Sequence, residues 1–452
     1  MKVKLKAEPP VPPGTVILTA KPFAFVLKSK LRSDRCNHCF NRAKVLRCSG
    51  CQYLYYCSRE CQKQAWNEHK YECNYLRKIA PRTVPDAAHL MARIILKLQR
   101  GGDQEKDYYS ATGFRKFKDL MSHYSDLKED AKRMEHFASL SAVLLDLLGE
   151  SNLPNTAELM GIYGRVCVNS FNILDPEMLA IGTGIYLSAS IIDHSCDPNA
   201  VAVFEGTTLY IRTIKQFSTL DWKKVRITYI DLLNSAPARR TELQTGYYFL
   251  CDCKRCLDSE EHLLMNSVQC PDSACIKPVP VVSALDSDRV CPSCGHNIKS
   301  ETLKQYQELL DFTLQQLEVM KDIAYLDVCK VCLKKQQGLF HPLNIYHVKM
   351  LDLAFESSIE MCQWEQACQF GAEVKQGYRR YYGEFHPLTG IFHLKLGKLL
   401  LHQQHVQKAW EELLEAKRIL AITHGENHIL FKKDFIPLLI QCENELQSEM
   451  RL

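Results

Sequence analysis

Between Cys36 and Cys73 the chain sets out four pairs of metal-binding side chains: Cys36 and Cys39, Cys48 and Cys51, Cys57 and Cys61, His69 and Cys73. Thiolate and imidazole are preferred ligands of Zn2+. Two of them a few residues apart reach one ion, because a tight turn or a single helical turn brings both side chains to the same side. Cys57/Cys61 and His69/Cys73 have the i, i+4 spacing of a helix; the other two pairs have the spacing of a turn. Eight such ligands make two closed tetrahedral sites, which are structural. Which pair joins which is not set by spacing. The segment 36–73 is too short for an ordinary core, so bound ions would supply most of its folding free energy.

Two further sets of thiols follow. Cys251, Cys253 and Cys256 offer three ligands and need a fourth, for which Cys196 in the stretch I-I-D-H-S-C-D-P-N-A (191–200) is the candidate. Cys270, Cys275, Cys291 and Cys294 form a complete set flanked by prolines, the pattern of a zinc ribbon, with His296 a bystander. Cys167, Cys329, Cys332, Cys362, Cys368 and Cys442 lack complete ligand sets and read as core or helix-face thiols, the C-x2-C at 329–332 being a weak exception.

Twenty-one cysteines, ten of them in five close C-x2-C pairs, point to a reducing compartment with metal thiolates in place of disulfides. The N-terminal M-K-V-K-L-K-A-E-P-P is charged where a signal peptide needs an apolar run, and no stretch reaches the ~18 apolar residues of a membrane span. A cytoplasmic and nuclear protein with no membrane association, acting as a monomer, is expected. Hydrophobic residues make up 46% of the 452 and charged ones 24%, which excludes disordered and collagen-like classes and leaves room for two to four domains. Eleven Lys and Arg between Lys2 and Arg47 face only Glu8 and Asp34. That basic run is a solvated face or a weak DNA-binding surface.

The elements that position these residues are legible in outline. Pro12-Pro13-Gly14 marks a turn before T-V-I-L-T-A and F-A-F-V-L, which read as strands; A-V-A-V-F and L-Y-I-R-T-I around Glu205-Gly206 read as a hairpin. Residues 86–148 carry helical periodicity opened by Pro85-Asp86 as the candidate N-cap. From about 301 the chain turns helical. Joints recur at F-H-P-L-N, F-H-P-L-T and G-E-N-H-I-L, around His341, His386 and His428, which suggests stacked helix pairs of tetratricopeptide type. Those histidines read as caps of the joints, and Ala367 and Ala409 as small residues where helices approach.

The run CNHCF…LRCSGCQYLYYCSRECQKQAWNEHKYEC resembles a MYND zinc finger. That resemblance implies an alternating pairing: Cys36, Cys39, Cys57 and Cys61 on one ion, Cys48, Cys51, His69 and Cys73 on the other. VNSFNI (168–173), DHSCDPN (193–199), VRITYID (225–231, a strand ending in Tyr229) and YYFLCDCKRC (247–256) resemble, in order, the SET methyltransferase fold with its post-SET cysteines. Together they resemble the SMYD family of SET and MYND lysine methyltransferases over nearly the whole chain. The implied fold is α+β: a split SET β-fold with an inserted MYND finger, a post-SET zinc site and a TPR-like helical C-terminal lobe. The expected divisions are 1–35 for the first SET strands, 36–73 for the finger, 74–150 for a helical insertion and 151–245 for the core SET region. After these come 246–258 for post-SET, 259–300 for the ribbon and 301–452 for the helical lobe.

The resemblance implies S-adenosylmethionine-dependent N-methylation of protein lysines on histone tails or cytosolic proteins. It implies Tyr229 as the catalytic tyrosine and Phe171, Tyr229 and Tyr247 as walls of an aromatic lysine channel. His123, Asn169, Asp193, His194, Tyr247, Tyr248 and Phe249 fall where the family binds the methyl donor. Three Zn2+ ions are expected, with the ribbon adding a fourth. Proline-containing peptides are the expected partners of the finger, and a chaperone C-terminal peptide that of the helical lobe. Three segments differ from the family pattern: M-K-V-K-L-K-A stands where a Gly-x-Gly segment is usual, Asp193 where an Asn is usual, and D-W-K-K (221–224) where G-E-E is usual. Asp193 replaces an amide donor by a negative charge. The alternative these departures raise is a catalytically weakened adaptor that uses its zinc modules for protein binding.

Overall fold

The computed structural model describes residues 9–281, 287–321 and 323–449. The M-K-V-K-L-K-A segment lies outside them. Two compact units divide the chain: one comprises residues up to His194 with Pro198–Ile227 and Leu243–Phe249, the other Ser195–Asp197, Thr228–Glu242 and the chain from Leu250 onward.

In the first unit Gly14, at φ 85°, turns the chain into β1 (Val16–Ala20), and β2 (Ala24–Leu27) follows. The finger contributes a short hairpin, β3 (Leu46–Arg47) with β4 (Tyr55–Tyr56), and then α1 (Arg59–Ile79). The cap of α1 is Ser58, whose Oγ accepts from the Cys61 amide at 3.1 Å. Cys57 therefore lies before the helix, and the helical reading of the Cys57/Cys61 spacing is corrected: the cap turns the chain between them. His69 and Cys73 do share a face of α1. Helix α2 (Asp86–Leu98) has Pro85 at its cap position with no side-chain cap bond; Asp86 is its first residue, and its Oδ1 accepts from the Ser29 amide at 2.9 Å.

The helical pattern expected through to 148 breaks after α2. Gly101 adopts φ 83°, and a hairpin of β5 (Asp107–Tyr108) and β6 (Phe114–Arg115) intervenes before α3 (Tyr124–Glu129) and α4 (Ala131–Leu148). Helix α5 (Thr156–Asn169), capped by Asn155, runs directly into β7 (Ser170–Leu174) and then β8 (Ala180–Ile185), giving an antiparallel sheet of order β2-β8-β7. After β9 (Asp193–His194) come β10 (Ala200–Glu205) and β11 (Thr208–Thr213), hinged at Gly206, and these form the sheet β1-β11-β10. β1 thus pairs with residues about 190 positions later and β2 with residues about 160 positions later. These pairings hold the strands before the cysteine-rich segment 36–73 to those after it.

β12 (Arg226–Ile227) pairs in parallel with β9. The strand ends there, two residues short of Tyr229. Thr228 stops it by local hydrogen bonding: its Oγ1 donates to the Ile230 carbonyl at 2.6 Å and receives the Ile230 amide at 3.3 Å, so Tyr229 sits on a bend.

Helix α6 (Ala236–Tyr247) is followed in the second unit by α7 (Lys254–Leu257) and α8 (Ser259–Met265). Two short hairpins come next, β13 (Ser267–Gln269) with β14 (Pro278–Pro280) and β15 (Arg289–Val290) with β16 (Asn297–Ile298). The remainder is α9 (Ser300–Val319), α10 (Leu326–Gln336), α11 (Ile345–Glu360), α12 (Trp364–Tyr381), α13 (Pro387–His402), α14 (Val406–Thr423) and α15 (Ile436–Glu449). The joint histidines act alike. Nδ1 of His341, His386 and His428 accepts from the amide two residues on, Leu343, Leu388 and Leu430, at 3.1–3.2 Å. Ala367 and Ala409 are fully buried, and a Cβ on Gly397 would meet Leu413 at 2.9 Å, so α13 and α14 touch nearly backbone to side chain. Cys329 and Cys332 are buried with Met320, Met350 and Ala354, which is a core environment.

Candidate functional site and metal centres

The four ligand sets come together as separate clusters. Donor atoms of Cys36, Cys39, Cys57 and Cys61 lie within 4.8 Å of one another, as do those of Cys48, Cys51, His69 and Cys73, of Cys196, Cys251, Cys253 and Cys256, and of Cys270, Cys275, Cys291 and Cys294. A tetrahedron with Zn–S bonds of 2.3 Å has edges of about 3.8 Å. Measured edges agree: 3.8 Å for Cys39–Cys57, 3.5 Å for Cys57–Cys61, 3.4 Å for Cys196–Cys256, 3.5 Å for Cys270–Cys294 and 3.8 Å for Cys275–Cys291. These residues fit zinc. His296 is outside the ribbon cluster, and its carbonyl accepts from the Cys291 amide at 2.8 Å.

The second finger site carries a support absent from the sequence reading. His69 presents Nε2 to Cys48 and Cys51 at 3.4 and 3.5 Å, while its Nδ1 meets Glu72 Oε1 at 3.0 Å. Glu72 is buried and also accepts from His89 at 2.8 Å and from Arg93 at 2.7 and 2.9 Å. Arg93 in turn donates to the Phe25 carbonyl on β2. Burial pushes the Glu72 carboxyl up, yet Arg93, His89 and the His69 bond together hold it well below the ordinary carboxylate range. A charged Glu72 fixes the His69 tautomer and ties the finger to the first SET strands. The only sequence signal was its place one helical turn after His69.

Around the thiols of Cys196, Cys251, Cys253 and Cys256 the compensation is cationic. Arg239 is fully buried with Nη2 4.0 Å from Cys256 Sγ, and Arg255 donates to the Cys196 carbonyl at 3.2 Å; Glu261 lies between them, 3.6 Å from Arg239 and 2.7 Å from Arg255. A tetrathiolate zinc carries two net negative charges, and buried charge requires partners of this kind.

The residues expected to meet the methyl donor all belong to the first unit. His123 has left-handed backbone (φ 48°) and its ring lies 5.4 Å from that of Tyr248; its Nδ1 meets Asp126 at 2.9 Å. Gly164 on α5 permits this placement, because a Cβ there would lie 2.1 Å from the Ser122 carbonyl oxygen. Tyr248, also left-handed at φ 61°, donates its hydroxyl to Asp130 at 3.1 Å. Burial and the Asp130 carboxylate push the Tyr248 hydroxyl up to about 12, so it stays a neutral donor. Asp130, which also caps α4, was not foreseen.

Phe249 and the buried His194 have ring centroids 6.0 Å apart. Asn169 closes α5, and both hydrogens of its Nδ2 are used, by the carbonyls of Met121 at 2.8 Å and Arg165 at 3.0 Å. Its side-chain oxygen is left as an acceptor, which suits an ammonium group and so the amino-acid end of S-adenosylmethionine. Asp193 is exposed, and its charge is offset by Arg226 at 3.6 Å. Phe171 on β7 packs edge-on against the buried Tyr186 at 5.6 Å, an aromatic neighbour that the sequence reading did not single out. Tyr247 is the last residue of α6, and Tyr229 belongs to the second unit.

With this geometry in place, likeness to known proteins decides the family. A MYND-finger family model matches residues 36–73. Over 454 aligned residues, 98% of this chain and 96% of the relative, the sequence is 31% identical to histone-lysine N-methyltransferase SMYD3 of Homo sapiens. The chain belongs to the SMYD family of protein-lysine methyltransferases. Histone-lysine N-methyltransferase ASHR1 of Arabidopsis thaliana is 27% identical over 91% of the chain and 88% of its own length. N-lysine methyltransferase SMYD2 of Homo sapiens is 25% identical over 98% and 95%. The MYND match makes the clusters within residues 36–73 zinc-binding. No helix among the described residues is long and apolar enough to cross a membrane.

Proposed function

We propose that this SMYD chain methylates protein lysines on histone tails or cytosolic proteins, with Tyr229 as the catalytic tyrosine. S-adenosylmethionine, when bound, would supply a sulfonium methyl carbon open to in-line attack by a neutral amine, with the thioether as leaving group. Phe171, Tyr229 and Tyr247 wall the channel for the lysine stem; an apolar, dry channel disfavours the ammonium form, so the amine arrives deprotonated. The Tyr229 hydroxyl orients the amine lone pair. Asn169 would accept from the donor's ammonium, His194 and Phe249 would flank it, and His123 and Tyr248 would present their tilted ring pair. Asp193 and Arg226 form a paired rim that adds no net charge. Alignment and exclusion of water supply much of the rate, with no covalent enzyme intermediate.

One observation carries this reading. The segment Tyr247–Phe249, which leads straight into Cys251, meets rings from two separate segments expected to contact the methyl donor, His123 at Tyr248 and His194 at Phe249. Titration calorimetry of S-adenosylmethionine into the zinc-loaded chain tests it. Saturable binding that weakens about tenfold or more in Asn169→Ala and Phe249→Ala is expected. Absence of binding by the wild type refutes it.

Four zinc ions per chain are proposed: two in the finger, one at Cys196/Cys251/Cys253/Cys256 and one in the ribbon. The fourth is supported by the tetrahedral edges quoted above. Exposed Trp66, Tyr71 and Leu46 on the finger support docking of proline-containing peptides there. The stacked helix pairs suit an extended chaperone C-terminal peptide, and exposed Arg42, Lys44 and Arg47 would give weak DNA binding. A cytoplasmic and nuclear location accords with these partners.

A further inference from the structure

The bend that carries Tyr229 continues into a loop, Thr228–Ser235, which contains no regular element. Such a segment has little intrinsic rigidity, whereas an amine-orienting hydroxyl must be held to a fraction of an ångström. Within the second unit, side chains from the helical array grip this loop. Tyr382, just after α12, donates its hydroxyl to Asp231 Oδ1 at 3.0 Å, and the same oxygen receives the Leu233 amide at 2.9 Å. Lys349 on α11 donates to Asn234 Oδ1, and Tyr346 one turn earlier pairs with Ser235. The Asn234 carbonyl receives Arg239, and the Leu232 carbonyl receives Arg255 at 3.3 Å.

These anchors are themselves immobile. Tyr382 is buried, stacked on His386 at 4.5 Å and edge-on to Tyr378 at 5.1 Å. His386 caps α13, so the ring that holds Asp231 rests on a joint of the array. Lys349 is largely withdrawn from water, which pulls its ammonium below the ordinary lysine range despite the nearby Asp231, Asp352 and Glu242. A lysine placed there costs stability unless its hydrogen bonds are made, and the loop amide of Asn234 makes one. Leu232 and Leu233 are buried beside it, which fixes the loop's depth.

We infer that Tyr382 and Lys349, on the C-terminal helices, are positioning residues for methyl transfer, holding Asp231 and Asn234 so that Tyr229 keeps a single orientation. This rests on the catalytic reading of Tyr229. It assigns the helical lobe a role in turnover that does not depend on its binding any partner.

The test compares the zinc-loaded full chain with Tyr382→Phe, Lys349→Met, Lys349→Arg and Tyr229→Phe. Tyr382→Phe keeps the stack on His386 and removes only the hydroxyl. Hydrogen exchange over 229–235 should be about five- to tenfold faster in Tyr382→Phe and Lys349→Met, the loss of about one hydrogen bond, with exchange in α11 and α12 unchanged. With tritium-labelled S-adenosylmethionine and purified core histones as the probe, kcat should fall about tenfold or more in both, with KM for the methyl donor within about twofold of wild type. Lys349→Arg should restore most of both readouts. Unchanged exchange over 229–235 in both variants overturns the anchoring, and faster exchange with unchanged kcat overturns its link to Tyr229. Full turnover by Tyr229→Phe instead overturns the catalytic reading of that tyrosine and leaves the exchange result to decide the anchoring by itself.

Discussion

Exchange of Glu72 for Gln removes a charge that three side chains share. The Glu72 side chain is 5% exposed and that of Arg93 16%, and the carboxylate accepts two bonds from Arg93 and one each from His69 and His89. Gln keeps an acceptor oxygen for one neighbour and leaves the buried guanidinium without its counter-charge. Loss of one partner of such a pair costs about 3–5 kcal/mol. Loss of the carboxylate behind a zinc-bound imidazole lowers metal affinity about 10- to 100-fold. Both effects converge on the finger, because Glu72 is the link between His69 and β2. Competition with a chromophoric chelator, read together with zinc content, should show one ion released about tenfold or more readily in Glu72→Gln. Glu72→Ala should lose it more readily still, and the post-SET ion should be unaffected. Zinc affinity within twofold of wild type in both variants would refute the linkage between finger and SET strands.

Three other perturbations have defined outcomes. Gly164→Ala forces its methyl against the Ser122 carbonyl and should shift His123, weakening S-adenosylmethionine binding about tenfold in calorimetry at a stability cost of about 1–3 kcal/mol. Cys294→Ser should lower zinc content by one ion per chain by plasma emission, with limited proteolysis opening first between 270 and 298. Asp352, to which Tyr378 donates its hydroxyl, has its carboxyl pushed up to about 7, mainly by burial. A raised carboxyl makes the folded state bind the extra proton, so stability falls as pH rises from about 4 to 7 and is level above. In thermal unfolding, Asp352→Asn should therefore gain on the wild type progressively over that window, and a pH-independent difference would contradict the assignment.

The ligand spacings were legible because thiol pairs are a local signal: two or three intervening residues suffice to bring sulfurs to one ion, whatever the rest of the chain does. The joint histidines were legible for the same reason, since each bonds an amide two residues away. What could not be read was decided at long range or by competing local bonds. Cys57 fell outside α1 because Ser58 caps it. The strand before Tyr229 ended early because Thr228 turned the backbone onto itself. The break in helical pattern after α2 follows from Gly101-Gly102 and the hairpin beyond, which periodicity over 86–148 concealed. Glu72, Asp130, Arg239 and Arg255 act on residues brought near by folding, so nothing in their own neighbourhood announced them apart from the turn that separates Glu72 from His69. Asp193 read as an uncompensated charge until the parallel pairing of β9 with β12 placed Arg226 beside it.

Mass spectrometry of a protein extract incubated with the zinc-loaded chain and methyl-deuterated S-adenosylmethionine tests lysine methylation through Tyr229 most directly. Labelled ε-methyl-lysine with the wild type, and its loss with Tyr229→Phe, is the expected result. No labelled lysine with the wild type, or equal labelling by Tyr229→Phe, would contradict it.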